Sequence, residues 1–161
     1  MRNILDQLDS SRYYVINGPV LRLDNVTKEY DHIVIGLNGI FILETKAFGM
    51  TNGKASKAAL FIDAGDKWIL RKNGKNKELT SPSLQVKEEC ELFENIISCP
   101  VEVHSVLVLS NPEIILKQNI DLPYSVIRID NLRTFIENYN NRISESDRME
   151  SLTKLNKCRV N

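Results

Sequence analysis

Asp31, Glu44 and Lys46 are the charged residues of an otherwise uncharged segment, Asp31-His32-Ile33-Val34-Ile35-Gly36-Leu37-Asn38-Gly39-Ile40-Phe41-Ile42-Leu43-Glu44-Thr45-Lys46. Its centre is Asn38-Gly39, flanked by apolar residues of strand type. Asn-Gly between such runs signals a two-residue hairpin loop, because both central residues of a type I′ turn need positive φ. With Asn38 and Gly39 as the loop, Leu37 pairs with Ile40 and Asp31 falls opposite Lys46. Glu44 lies two residues from Lys46 and so points to the same face. Two carboxylates and one ammonium then converge at the open end of an apolar hairpin.

That set suits phosphodiester hydrolysis. Asp31 and Glu44 can hold Mg²⁺ or Mn²⁺, since Mg²⁺ takes oxygen ligands and keeps several waters. Such an ion neutralises a phosphate and activates a water. Lys46 beside it can orient that water or stabilise added negative charge. Glu-x-Lys alone is an ordinary charge cluster at a sheet edge. The aspartate placed across the hairpin sets this one apart.

The elements around the hairpin must hold it and cover both its faces. Ile33, Ile35, Ile40 and Ile42 form one face, and Val34, Phe41 and Leu43 the other. Strands apolar on both sides are covered on both sides, usually by helices. Residues 1–10 read as a short amphipathic helix with Ile4, Leu5 and Leu8 on one face. Tyr13–Asn17 reads as a strand, and residues 20–30 as a connection with a short edge strand. Ala58–Asp63 and Lys67–Arg71 form a second hairpin around Ala64-Gly65-Asp66, with Trp68 as a core or rim aromatic. Ser81 and Pro82 read as N-cap and first position of a helix. Val86, Cys90, Phe93 and Ile97 give that helix one buried stripe, and Gln85 lies in its first turn, off the stripe. Val101–Leu109 and Tyr124–Ile129 read as further strands and Leu132–Tyr139 as a helix, with His104 in a structural role. Residues 140–161 are polar, anchored by Leu152 and Leu155, and read as a loosely docked helix or a disordered tail.

Composition fits one domain spanning residues 1–139 with that tail. The chain has 161 residues, 42% of them hydrophobic, enough to bury a core. No stretch approaches the roughly 18 apolar residues of a membrane span, and no basic-then-apolar leader opens the chain. Cys90, Cys99 and Cys158 lack Cys-x-x-Cys spacing and read as reduced thiols of a cytoplasmic protein. With His32 and His104 as its two histidines, a structural zinc is not expected. Gly-rich nucleotide loops are absent.

The formal charge is zero, so distribution matters more than the total. Arg71-Lys72-Asn73-Gly74-Lys75-Asn76-Lys77 is a basic turn. Arg71, Lys72, Lys75 and Lys77 are candidate nucleic-acid contacts, since phosphate neutralisation dominates such affinity. A solvated hairpin tip is the plainer reading of the same residues.

Taken together, Tyr14-Val15-Ile16-Asn17, Asp31-His32-Ile33-Val34-Ile35-Gly36, Asn38-Gly39 through Glu44-Thr45-Lys46, and Ser81-Pro82-Ser83-Leu84-Gln85 resemble the nuclease-related domain (NERD) of the PD-(D/E)XK, restriction-endonuclease-like superfamily. The likeness runs from about residue 3 to residue 132. It implies an α/β fold with a restriction-endonuclease-like core: a mixed central sheet flanked by helices on both faces. It implies Asp31, Glu44 and Lys46 as metal and catalytic positions, with Gln85 as a helix-borne accessory. The implied activity is divalent-metal-dependent hydrolysis of nucleic acid, DNA being the expected substrate. The alternative is a non-catalytic nucleic-acid-binding or assembly module on the same fold. A homodimer would suit a duplex-cutting enzyme with one site per chain. Family members usually carry a Gly-Glu element in a first helix, whose Glu joins the site. Here Met1–Leu8 resembles the remainder of that helix with the Glu already passed, which implies reduced activity.

Overall fold

The computed structural model describes residues 1–99 and 101–160. Its centre is the expected hairpin, strands β4 (His32–Gly36) and β5 (Gly39–Lys46). With β1 (Tyr13–Asn17), β9 (Val103–Leu109) and β11 (Ser125–Arg128) they form a five-stranded sheet of order β1-β4-β5-β9-β11. The β1–β4 and β4–β5 pairs are antiparallel, and β5–β9 and β9–β11 are parallel, so the sheet is mixed. Parallel neighbours need long crossovers, and the β5–β9 crossover carries most of a second sheet. That sheet has the order β10-β6-β7-β8, built from β6 (Ala58–Asp63), β7 (Lys67–Lys72), β8 (Lys75–Leu79) and β10 (Ile114–Gln118). A third, small sheet pairs β2 (Val20–Leu23) with β3 (Val26–Glu29) and with β12 (Arg159–Val160).

Both faces of the central hairpin are covered. Ile33, Ile35, Ile40 and Ile42 share a core with Leu92, Phe93, Ile96 and Ile97 of α2 (Ser83–Ile97) and Leu152 and Leu155 of α4 (Glu145–Cys158). Val34, Phe41 and Leu43 share the opposite core with Leu5 of α1 (Arg2–Leu5) and Leu132 and Ile136 of α3 (Leu132–Asn138). Burying each such side chain stabilises the fold by about 1.5–3 kcal/mol of transfer energy. A third core lies between the second sheet, β9 and α2, around the fully buried Trp68.

The hairpin register differs from the sequence expectation. Gly36 pairs with Gly39, Ile35 with Ile40 and His32 with Leu43, so the loop is Leu37-Asn38. Asn38 is not at positive φ, whereas Gly39 has φ +143°. Tertiary packing selects this turn. A Cβ on Gly36 would lie 2.6 Å from the Tyr13 ring, and one on Gly39 would lie 3.3 Å from the Tyr139 ring. The Asn38 side-chain amide meanwhile donates to the Ile136 carbonyl. The two expected cores are nevertheless kept, each strand presenting the same residues to the same face. Continued beyond His32, the register sets Asp31 opposite Glu44 rather than Lys46. Two other Asn-Gly pairs do take two positive φ values: Asn52 (+49°) with Gly53 (+73°), and Asn73 (+50°) with Gly74 (+72°) between β7 and β8.

Several boundaries also differ by one or more residues, two of them with a local cause. The first helix stops at Leu5, and the Asp9 carboxylate takes the backbone N–H and hydroxyl of Ser11, which favours a turn over further helix. Helix α2 starts at Ser83, one residue later than expected, with the Ser81 hydroxyl accepting from the Ser83 N–H at 3.1 Å. Residues 140–161, read above as a polar tail, contribute α4 and β12, and Leu152 and Leu155 are buried.

Candidate active site

The open end of the β4–β5 hairpin lies beside the first turns of α2. Asp31 stands just before β4, and its Oδ2 accepts the backbone N–H of Thr45 at 2.8 Å. That bond fixes the aspartate against the strand segment carrying Glu44 and Lys46. Glu44 is 8% exposed, and its Oε1 accepts from Lys46 Nζ at 2.7 Å. Lys46 also donates to Gln85 Oε1 at 2.9 Å. The structure therefore joins Glu44, Lys46 and Gln85 by direct bonds and sets Asp31 across from Glu44.

Helix α2 delivers Gln85 because its start is anchored. The Ser81 hydroxyl bonds to Asp66, whose other oxygen accepts from Trp68 Nε1 at 2.7 Å. Ser83 Oγ bonds to Tyr124 Oη at 2.6 Å. Burial works to raise the Asp66 pKa, but the bonds from Ser81 and Trp68 hold the carboxyl below its ordinary value. The Trp68 ring is thus committed to this anchor and to the core.

One residue of the cluster escaped the sequence reading. Glu89 lies one turn beyond Gln85, is 3% exposed, and its Oε1 accepts from Gln85 Nε2 at 2.8 Å. Desolvation pushes its pKa up to about 7; the Gln85 bond opposes this, and the charge of Glu44 adds to it. A signal was present. Val86, Glu89 and Phe93 sit at i, i+3 and i+7, so a carboxylate occupies the buried stripe itself.

The donor set can be weighed against a divalent ion. Asp31 and Glu44 supply hard carboxylate oxygens on one side of the hairpin end. Asp31 Oδ2 and Glu44 Oε1 accept the bonds described above; Asp31 Oδ1 and Glu44 Oε2 remain as acceptors. Among the described residues no three His, Cys, Asp or Glu side chains are gathered as a metal cage. Mg²⁺ does not require one, because it binds through one or two carboxylates and retains water. Two clefts reach the cluster. One, of about 640 Å³, is lined by Lys46, Phe48, Lys77, Leu84 and Gln85. The other, of about 550 Å³, is lined by Asn3, Glu29, Asp31 and His32.

The four basic candidates do not behave alike. Lys72 Nζ donates to the Gly49 carbonyl at 2.7 Å and to Thr51 Oγ1, tying down the loop after β5. Arg71 donates to Asn76 Oδ1 at 2.9 Å and lies over the Phe61 ring. Lys75 and Lys77 are exposed, and Lys77 reaches the cleft that holds Lys46. His104, expected to be structural, bonds to Tyr139 Oη at 3.0 Å and stacks with Phe135.

No helix among the described residues is long and apolar enough to cross a membrane. No curated protein and no solved structure matches the chain. The family model of the nuclease-related domain matches residues 1–110, a span that contains Asp31, Glu44, Lys46 and Gln85. With that match over most of its length, and with a mixed sheet covered by helices on both faces in the restriction-endonuclease-like manner, the chain belongs to the nuclease-related domain family.

Proposed function

We propose that the chain is a divalent-metal-dependent nuclease domain that hydrolyses phosphodiester bonds in nucleic acid, with DNA as the expected substrate. The observation that carries this reading is the placement of Asp31 opposite Glu44, with Lys46 held between Glu44 and Gln85. Asp31 and Glu44 would hold Mg²⁺ or Mn²⁺. Such an ion, when bound, neutralises phosphate charge and lowers the pKa of a water. Lys46 offers an ammonium fixed at two oxygens, which limits where its third proton can point. Placed beside a phosphate, it orients the attacking water or stabilises the charge that builds up on phosphorus oxygens. Gln85 adds no charge and serves to aim Lys46.

The test is cleavage of single-stranded DNA, duplex DNA and RNA by the full chain in Mg²⁺, Mn²⁺ or chelator. Cleavage should require the divalent ion and fall at least about 10²-fold in Asp31→Asn and Glu44→Gln, in keeping with the loss of a positioned electrostatic group. Mg²⁺ should also raise the melting temperature of the wild type, since a ligand of the folded state stabilises by about 2.7 kcal/mol at a hundred times its Kd. Equal stabilisation of the double variant Asp31→Asn, Glu44→Gln would place the ion elsewhere. Binding of nucleic acid with no metal-dependent cleavage would instead make the chain a binding module.

The contribution of the exposed lysines is separable. Lys75→Ala with Lys77→Ala should weaken binding across sequences alike and lower the salt slope by roughly 1 for each phosphate that is no longer neutralised. An unchanged slope would reduce the β7–β8 tip to a solvated turn. Lys72 is kept in both proteins because its removal would free residues 49–51.

A further inference from the structure

Residue 89 is where the two arms of the site meet. Its backbone carbonyl accepts the hydroxyl of Tyr30 at 3.0 Å, and Tyr30, wholly buried, immediately precedes Asp31. Its side chain accepts from Gln85, which accepts from Lys46, which donates to Glu44. One turn of α2 is therefore bonded to the segment carrying Asp31 and to the side chains at the end of β5.

The direction of these bonds is forced. Lys46 is a donor only, so the Gln85 oxygen must face it. The Gln85 NH₂ must then face the other way, into the interior beside α2. An NH₂ directed toward the buried Glu89 needs an acceptor there, and without one it turns away. Glu89 is the acceptor in place. An apolar residue, which the buried stripe would otherwise favour, would leave Gln85 free to rotate and Lys46 with Glu44 as its remaining partner.

We propose that Glu89 is a positioning residue of the nuclease site: it fixes the amide of Gln85 so that the Gln85 oxygen holds Lys46 at its working place beside Glu44. The proposal rests on the hydrolytic reading for its consequence in catalysis, but its geometric content does not need substrate or metal. Glu89 touches neither and acts through Gln85.

The test compares wild type, Glu89→Gln and Glu89→Leu, all as the full chain. On metal-free protein, two readouts apply: the side-chain amide signals of Gln85 in a proton–nitrogen spectrum, and the rate at which an N-hydroxysuccinimide ester acylates Lys46, followed by mass spectrometry. Glu89→Gln keeps an acceptor and should leave both near wild type. Glu89→Leu should collapse the dispersion of the Gln85 signals and raise Lys46 acylation several-fold. In cleavage, Glu89→Leu should lower kcat about 10-fold or more with KM maintained and melting temperature not lowered, and Glu89→Gln should restore most of it. A purely structural role would instead lower melting temperature together with activity. Unchanged Gln85 signals and Lys46 acylation in Glu89→Leu would overturn the proposal, as would unchanged kcat in an active enzyme. If wild type does not cleave while the two metal-free readouts respond as expected, the hydrolytic reading fails and the positioning role stands.

Discussion

Replacing Lys46 with Ala should lower metal-dependent cleavage about 10²–10³-fold, the usual cost of losing one fixed group that stabilises transition-state charge. The fold should hardly notice. The Lys46–Glu44 pair is partly open to water, with side chains 24% and 10% exposed, so its contribution is of the order of 1 kcal/mol. Removing the ammonium also removes a competitor for Glu44, so half-saturation by Mg²⁺ should stay the same or move to lower concentration. A fall in kcat with undiminished metal affinity is therefore the expected signature, read from rate against Mg²⁺ concentration. Lys46→Arg should not restore the rate, because a planar fork with five donors cannot take the place of a compact ammonium held by two oxygens. Loss of cleavage accompanied by weaker metal affinity would mean that Lys46 shapes the ion site rather than the chemistry.

The second large effect is on stability. The Glu89 pKa is raised from 4.5 to about 7 in the folded protein, first by desolvation. A carboxyl whose folded pKa is raised binds its proton more tightly when folded. Its stabilising contribution is complete below 4.5, declines as pH rises, and is gone above about 7. That difference amounts to the order of 3 kcal/mol, or roughly 6–12 °C for a chain of this length. The melting temperature of metal-free wild type should therefore drop between pH 5 and pH 8 relative to Glu89→Gln, which has nothing to titrate there. His104 works in the opposite sense, since burial lowers its pKa, but both proteins share it and the comparison cancels it. Parallel curves for the two proteins would show that Glu89 is ionised at little cost.

The parts readable from sequence are those set by neighbours along the chain. Both faces of the central hairpin follow from alternation between Ile33 and Leu43, and the structure divides these residues between the same two cores. Asp31, Glu44 and Lys46 could be grouped because one tight turn joins them. The register could not be read, because the turn is chosen by Tyr13 and Tyr139 packing on Gly36 and Gly39, contacts that the turn sequence does not encode. Strand β8 carries no alternation, being exposed at every residue but Leu79, which is half-buried. The β6–β10 pairing is parallel and joins residues far apart in sequence, Ala58 to Ile114, so no local signal marks it. Helix α4 hides its burial because Arg148 and Ser151 share its inner face with Leu152 and Leu155. Gln85 entered through resemblance alone, and Glu89 was passed over because a carboxylate on a buried stripe is unusual.

Strand β12 is the last described element of the chain and pairs with β2, one of the first. Helix α4, just before it, lays Leu152 and Leu155 on the apolar face that Ile33, Ile35, Ile40 and Ile42 present. During synthesis that face is complete by residue 43 but lacks this part of its cover until residue 155. At about 5–20 residues per second the gap lasts roughly 5–20 s. The closing pair joins Leu21 to Arg159, and so non-local a contact slows closure and leaves an apolar sheet face open to other nascent chains meanwhile. A pause in translation after residue 42 and before residue 155 would prolong that exposure, most of all before α2 is made, since α2 supplies the other part of the cover.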